Sequence, residues 1–257
     1  MKNTFNYPNW IPEVPSGMRV LITGSTGGLG KALVAMLLNG PDCTIGAHGR
    51  RQIYKNDDKR IIPLIYDFEN SDDCQTLVDK FVKKAGGIDA LVVLSGSIRA
   101  TSHWRDISGS EWEGELSVNL TQPFFLAKAA MAHMKNQKTG GRIILNGTES
   151  ALHGGSITSL PYAIAKRGTE CMVQGLAREG APSNILVNGV RLGYIASGFH
   201  QRWHKKTKQD MAKRANMVPL KRGGDPDEAA ALMIYLLSGW ANFITGQMLP
   251  LTGGDWL

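Results

Sequence analysis

Residues 23–30 read TGSTGGLG and follow directly on the apolar run Met18-Arg19-Val20-Leu21-Ile22. No other segment of this chain narrows the possible folds so far. A short apolar run with Val and Ile reads as a buried strand. The glycines then turn the chain sharply, and residues 31–39 continue with helical periodicity. Three physical needs meet at this junction. Gly24 permits a backbone conformation that a Cβ would forbid. Gly28 lets a phosphate approach the main chain, and Gly30 lets the helix pack near the strand. The open N–H groups of the helix start, aided by the helix dipole, then face an anion. The pyrophosphate of a dinucleotide suits that arrangement, with Thr26, Gly27 and Leu29 completing the candidate cradle. The spacing is T-G-x-x-x-G-x-G rather than G-x-G-x-x-G, and it becomes specific only together with a second site elsewhere in the chain.

The chain has 257 residues, 42% apolar and 20% charged, which is a globular composition. That length suits one large α/β domain. No repeat, charge run or Pro/Ser-rich linker divides it. Residues 1–17, rich in Pro, Asn and aromatics, read as an irregular leader, and residues 18–257 as a single dinucleotide-binding catalytic domain. The leader lacks the basic-then-apolar pattern of a secretion signal, and no apolar run approaches a membrane span. Cys43, Cys74 and Cys171 are odd in number and widely spaced, with no metal or disulfide pattern, so a cytoplasmic setting is expected. The net charge of +7 fits an acidic cofactor or substrate, nucleic acid, or a solvated basic surface. No nucleic-acid reading motif accompanies it.

Strands are predicted near 19–23, 42–48, 61–66, 88–94, 141–146, 184–190 and 246–251, and helices near 28–39, 71–85, 110–136, 160–180 and 226–238. Runs such as Leu91-Val92-Val93-Leu94 do not alternate. They read as strands covered on both faces, as in a parallel sheet. The β–α alternation predicts a Rossmann-like, doubly wound parallel sheet of about seven strands with helices on both faces. Ligands in such sheets sit beyond the carboxyl ends of the strands.

Tyr162 and Lys166 stand in PYAIAKRG. Pro161 suits a first helical turn, and a spacing of four puts both side chains on one face. A nearby ammonium stabilises phenolate and lowers the tyrosine pKa from its reference near 10. A phenol tuned in this way exchanges protons near neutral pH. Alone, such a pair is most often an aromatic and a lysine on a surface helix.

The glycine turn and Y-x-x-x-K together resemble the short-chain dehydrogenase/reductase family, and the resemblance runs from Arg19 to Gly254. Gly87-Ile88-Asp89-Ala90-Leu91-Val92 resembles the family's fourth strand, and Val118-Asn119-Leu120 the segment carrying its catalytic Asn. Gly141-Arg142-Ile143-Ile144 resembles the fifth strand. Residues 187–193 resemble the strand and P-G turn beside the nicotinamide, and Ile244-Thr245-Gly246-Gln247 with Gly253-Gly254 the C-terminal region. Three departures stand out. The family's N-N-A-G is here Val93-Leu94-Ser95-Gly96. The P-G turn is Leu192-Gly193. The catalytic Ser, about 13 residues before the Tyr, falls by ungapped counting on Glu149, between Thr148 and Ser150. A hydroxyl is needed there to bond the substrate oxygen as charge develops. Thr148 and Ser150 both remain candidates, with Thr148 slightly preferred. A carboxylate would repel the developing oxyanion, which disfavours Glu149.

The resemblance implies hydride transfer between nicotinamide and a carbonyl or alcohol carbon. Tyr162 would protonate the oxygen, Lys166 would tune Tyr162 and bind the ribose, and Asn119 would hold a relay water. Ser95 and Gly96 would line the adenine-side ribose, Asp67 and Phe68 the adenine, and Ile195 and Ser197 the carboxamide or pyrophosphate. Asp67 read locally could equally be a helix cap. Position 49 offers no carboxylate for ribose hydroxyls, while Arg50 and Arg51 suit a 2′-phosphate, so NADP(H) is expected over NAD(H). No metal is required, and His200/His204 read as a lid histidine pair.

A substrate lid is expected near 194–218. It carries Arg202, Lys205, Lys206, Lys208, Lys213 and Arg214 against Asp210. That basic lid fits an acidic carbonyl or alcohol substrate, or merely a solvated face. Three functions compete: an NADPH-dependent carbonyl reductase, an alcohol or polyol dehydrogenase, and a non-catalytic NADP(H)-binding homologue. A homotetramer or homodimer built through the long helices is implied by the family.

Overall fold

A computed structural model describes residues 13–52, 54 and 56–255, apart from the side chain of His204. Most of the expected leader therefore lies outside the described residues. Residues 13–17 form irregular chain whose Val14 is buried in the core.

Seven parallel strands form one sheet: β1 (Met18–Thr23), β2 (Cys43–Gly49), β3 (Ile61–Ile65), β4 (Ala90–Val93), β5 (Gly141–Thr148), β6 (Ile185–Leu192) and β7 (Met248–Leu251). Their order is β3-β2-β1-β4-β5-β6-β7. The chain starts mid-sheet, works outward to β3, then returns to build on the other side of β1. The strand order reverses between β1 and β4, and loops leaving their carboxyl ends diverge to opposite faces. That is where an open α/β sheet leaves a crevice for a ligand.

Among the described residues eight α-helices accompany the sheet: α1 (Gly28–Leu38), α2 (Asp72–Ala85), α3 (Gly109–Leu116), α4 (Gln122–Lys135), α5 (Leu160–Gly180), α6 (Phe199–His204), α7 (Lys208–Met217) and α8 (Pro226–Leu237). Val20, Ile22 and Ile45 pack with Leu33, Leu37, Met233 and Leu237 of α1 and α8 on one face. Leu21, Leu91 and Ile143 pack with Phe81, Leu126, Met134 and Val173 of α2, α4 and α5 on the other. Burial on both sides explains the unalternating strands. Phe81 is fully buried, and a Cβ at Gly46 would stand 2.6 Å from its ring. The smallness of that one β2 residue admits the ring. Burial of a Phe contributes about 1.5–3 kcal/mol.

The chain is helical over nearly all of the expected 110–136, but not α-helical throughout. Between α3 and α4 the chain makes a π-helical turn, Ser117–Thr121, in which the Gln122 N–H donates to Ser117 O. Pro123 follows in the first turn of α4. It has no N–H to offer the carbonyl of Asn119 one turn earlier, so the ladder is already broken there. Such wide turns recur at functional sites, and this one holds Asn119. The expected lid folds into α6 and α7. A capping box at Thr207 starts α7: its hydroxyl accepts from the Asp210 N–H, and the Asp210 carboxylate accepts from the Thr207 N–H.

Candidate active site

The β1–α1 turn forms as its glycines demand. Gly24 has φ +72°, and a Cβ on it would stand 2.8 Å from the main chain of Leu94 and Ser95. At Gly28 a Cβ would lie 2.3 Å from Ser197 O, so this glycine lets the loop after β6 close over the helix start. At Gly30 a Cβ would meet Gly24 O at 2.4 Å. That residue packs the helix onto its own turn rather than onto the strand. Helix α1 begins at Gly27 with no side chain capping it. Its first N–H groups have no acceptor one turn back and are available to an anion.

A cleft of about 290 Å³ joins this helix start to Tyr162 and Lys166. Every residue of the glycine cradle from Gly24 to Gly30 except Ser25 lines it, as do Arg50, Asp67, Phe68, Ser95, Gly96 and Ser197. Arg51 and Ile195 do not. Arg51 is exposed beyond it, and Ile195 is buried and faces a second pocket. Asp67 is not a cap. The Asn70 side chain accepts from the N–H groups of Asp72 and Asp73 at the α2 start instead. Sequence reasoning missed His48, Arg99, Gln122, Asn146, Phe199 and Trp203, which also line the cleft. His48 and Asn146 end strands and could have been found by that rule; Arg99 and Trp203 come from irregular chain and a short lid helix. His48 is buried, with Nε2 at 2.9 Å from Tyr66 O and its ring 5.0 Å from that of Phe68.

Position 49 is closed to any side chain, because a Cβ there would stand 2.2 Å from Gln52 O. No carboxylate can therefore be offered from the end of β2 without moving the backbone, while Arg50 is already at the rim.

Tyr162 and Lys166 occupy the first two turns of α5 and are both buried. Lys166 Nζ lies 5.9 Å from the Tyr162 ring centroid and donates to Asn146 O at 2.9 Å. The phenol is not tuned downward as the spacing led one to expect. Burial, and then the charge of Glu115, push Tyr162 above the usual range, opposed by a hydrogen bond with Thr148. Burial lowers Lys166 to about 8, against the pull of Glu115. The largest cause of both shifts is the cost of holding a charge out of water. The phenol thus keeps its proton through neutral pH, as a proton donor must.

Thr148, at the end of β5, faces Tyr162, and its hydroxyl also approaches Leu192 O at 3.5 Å. Ser150 lies a residue beyond Glu149 in the following 3₁₀ turn and lines the second pocket. Of the two hydroxyls, Thr148 is the one beside the phenol. Asn119 is buried, and its Nδ2 donates to Ser97 O at 2.8 Å and Glu115 Oε1 at 2.7 Å. Its Oδ1 is buried without a partner, as is Asn146 Oδ1. Buried acceptors left without a partner, a glycine cradle and an uncapped helix start suit a dinucleotide. The residues fit the group.

The second pocket, about 670 Å³, opens on the other side of Tyr162. Its walls carry Thr148, Glu149, His153, His200, Arg214 and Asp255. Arg214 donates to both carboxylate oxygens of Asp255. Of the lid cations, Arg202 lines the first cleft and Arg214 the second, whereas Lys205, Lys206, Lys208 and Lys213 are exposed and line neither. The basic character of the lid is thus mostly directed to solvent, and burial holds the Glu149 carboxyl above its ordinary range. His200 packs on Tyr194 and Phe199, while the side chain of His204 lies outside the described residues. Among the described residues no three His, Cys, Asp or Glu side chains converge as a metal would need, and no helix is long and apolar enough to cross a membrane.

Known proteins resemble this chain over most of its length. The family model described as enoyl-(acyl carrier protein) reductase matches residues 46–255. A 3-oxoacyl-[acyl-carrier-protein] reductase FabG of Buchnera aphidicola is 30% identical over 242 residues, 92% of this chain and 96% of that one. Glucose 1-dehydrogenase 2 of Bacillus subtilis is 28% identical, covering 93% of this chain and 95% of its own. Among solved structures, an NADH-dependent reductase A1-R′ responsible for alginate metabolism aligns with TM-score 0.81 at 25% identity, over 94% of this chain and 98% of that one. Thermoplasma acidophilum aldohexose dehydrogenase aligns with TM-score 0.82 at 21% identity, covering 93% and 94%, and shares the fold.

Proposed function

Because the chain belongs to the short-chain dehydrogenase/reductase family, and so is an NAD(P)-dependent oxidoreductase acting on CH–OH or C=O groups, we propose that it is an NADPH-dependent reductase of small ketone or 3-oxo substrates. The observation that carries the reading is the convergence of the buried Tyr162 and Lys166 on a cleft continuous with the helix start, with the Thr148 hydroxyl beside the phenol at the second pocket. A bound nicotinamide would supply the hydride. The chain's own part is to place and protonate the oxygen that receives the carbonyl electron pair. Thr148 bonds that oxygen as charge develops on it. Tyr162 gives up the proton that burial has kept on its hydroxyl, and Lys166, poised near neutrality, eases the phenolate left behind. The Gly24–Gly30 turn holds the pyrophosphate, Ser95 and Gly96 the adenine-side ribose, and Asp67 and Phe68 the adenine. Arg50, with no carboxylate possible at position 49, favours a 2′-phosphate.

Glu149 and Asp255 line the substrate pocket and Arg214 is paired within it. These charges favour a neutral, hydroxyl-bearing carbonyl over the acidic substrate that the lid composition suggested. The same carboxylates would accept bonds from a polyol, so oxidation of such an alcohol is the second reading. Free cysteines at 43, 74 and 171 accord with a reducing cytoplasm. Exposed Phe124 of α4 and Ile164 of α5 offer apolar faces for the expected homodimer or homotetramer.

The test is NADPH absorbance against neutral sugars and ketones, their carboxylate analogues and 3-oxoacyl thioesters, run in both directions and repeated with NADH. Reduction of neutral hydroxy-ketones at the highest kcat/KM is expected. Cofactor binding without turnover of any of them would mark the chain as a non-catalytic homologue.

A further inference from the structure

Glu115 is a fully buried carboxylate that the proposed reaction does not use. It sits at the end of α3, four residues before Asn119. Its Oε2 accepts from the N–H groups of Arg99 and Ala100, at 2.6 and 2.9 Å. Its Oε1 accepts from Asn119 Nδ2 at 2.7 Å. Ser97 O takes the same amide nitrogen at 2.8 Å. Both N–H bonds of the Asn119 carboxamide are therefore spent on one side, and its Oδ1 must point the other way. It does: Asn119 Oδ1 and Lys166 Nζ stand 3.2 and 3.8 Å from the point where a Gly96 Cβ would be. Lys166 has N–H bonds to spare beyond the one given to Asn146 O.

We propose that Glu115 is a positioning residue of this site: it locks the Asn119 carboxamide with its oxygen turned toward Lys166 and pins the loop after β4 against the π-turn. The inference rests on the Tyr162/Lys166 reading above. Three N–H donors make Glu115 a satisfied acceptor. The carboxylate form matches them, because an amide in its place would aim its own N–H at a donor. The charged and titratable groups acting with it are Arg99 from the loop, and Lys166 and Tyr162 from α5. Burial raises Glu115 above its ordinary range, while those N–H bonds and the two cations oppose the rise. Its charge in turn favours the protonated forms of both Tyr162 and Lys166.

Glu115→Gln keeps the shape but removes the charge, so Tyr162 and Lys166 both release protons more readily. The acid limb of the oxidative pH–rate profile should move to lower pH, an effect a purely structural role would not cause. The Gln amide also faces Asn119 donor to donor, so the Asn119 carboxamide must turn or let go. Misplacement of that kind should lower kcat by about 10- to 100-fold, with KM for NADPH within about twofold.

A second readout needs no turnover. The side-chain NH₂ resonance of Asn119, assigned by its loss in Asn119→Asp, should shift and lose exchange protection in Glu115→Gln. NADPH binding and the melting curve serve as controls for folding, and Glu115→Ala should in addition expose the Arg99 and Ala100 amides to exchange. Wild-type kcat with an unmoved pH profile in Glu115→Gln overturns the proposal. If the wild-type chain turns over no carbonyl, the functional reading fails separately, and the Asn119 resonance alone decides: unmoved, it overturns the positioning role; moved, it supports it.

Discussion

The two pockets that meet at Tyr162 are built differently. The smaller one has the Gly24–Gly30 turn as one wall, where a Cβ at 24, 28 or 30 would strike neighbouring main chain. The larger one is walled by side chains from the β5–α5 loop, the lid and the C-terminal turn. A glycine turn packed against main chain tolerates almost no change, and its purpose can be read from where glycine is compulsory. A side-chain-walled pocket on loops is open to substitution, and its charges cancel or add according to which neighbours happen to meet. Arg214 shows this: an apparent substrate-binding cation is taken by Asp255, 41 residues away.

The comparison can be broken most severely at the shared wall. Tyr162→Phe should cost about a thousandfold in turnover, within the range for a lost general acid, while NADPH affinity in a fluorescence titration stays unchanged. Retained turnover would end the acid role. Next in size is Gly28→Val, in which the new Cβ, 2.3 Å from Ser197 O, must push the lid root off the helix start. Loss of charge-assisted bonds to the pyrophosphate should weaken cofactor binding by about 10- to 100-fold, measured by the same titration; an unchanged affinity would show that the turn is not the cradle. Arg50→Ala should raise KM for NADPH by about fivefold and leave KM for NADH as it was, since an exposed guanidinium contributes roughly 1 kcal/mol. An equal effect on both cofactors would remove the case for a 2′-phosphate contact. The smallest effect belongs to the side-chain-walled pocket. Arg214→Ala should leave the ratio of acidic to neutral substrate turnover within about threefold of wild type, whereas Asp255→Asn, which frees the guanidinium, should raise it.

Much of the first pocket was legible in residues 23–30 and in the strand ends, because steric exclusion and strand direction are local properties. The cost of burying Tyr162 and Lys166 was not. Spacing on a helix reveals that two side chains share a face, but not how much water they lose. The predicted downward shift of Tyr162 was reversed by burial and by Glu115, a residue that helical periodicity alone marks only as one more carboxylate on α3. The helix expected over 110–136 did form, but its π-helical turn at Ser117–Thr121 was not legible, because no local pattern marks where Asn119 is held by Ser97 and Glu115.

By itself the sequence determined the order of strands and helices, the compulsory glycines, the Tyr162–Lys166 register and the exclusion of a carboxylate from the end of β2, since each follows from near neighbours along the chain. Tertiary structure alone decided which hydroxyl faces the phenol, which arginine reaches each pocket, and which way the site's protons are biased. Those depend on distance and desolvation between segments far apart in sequence, and no local pattern encodes either.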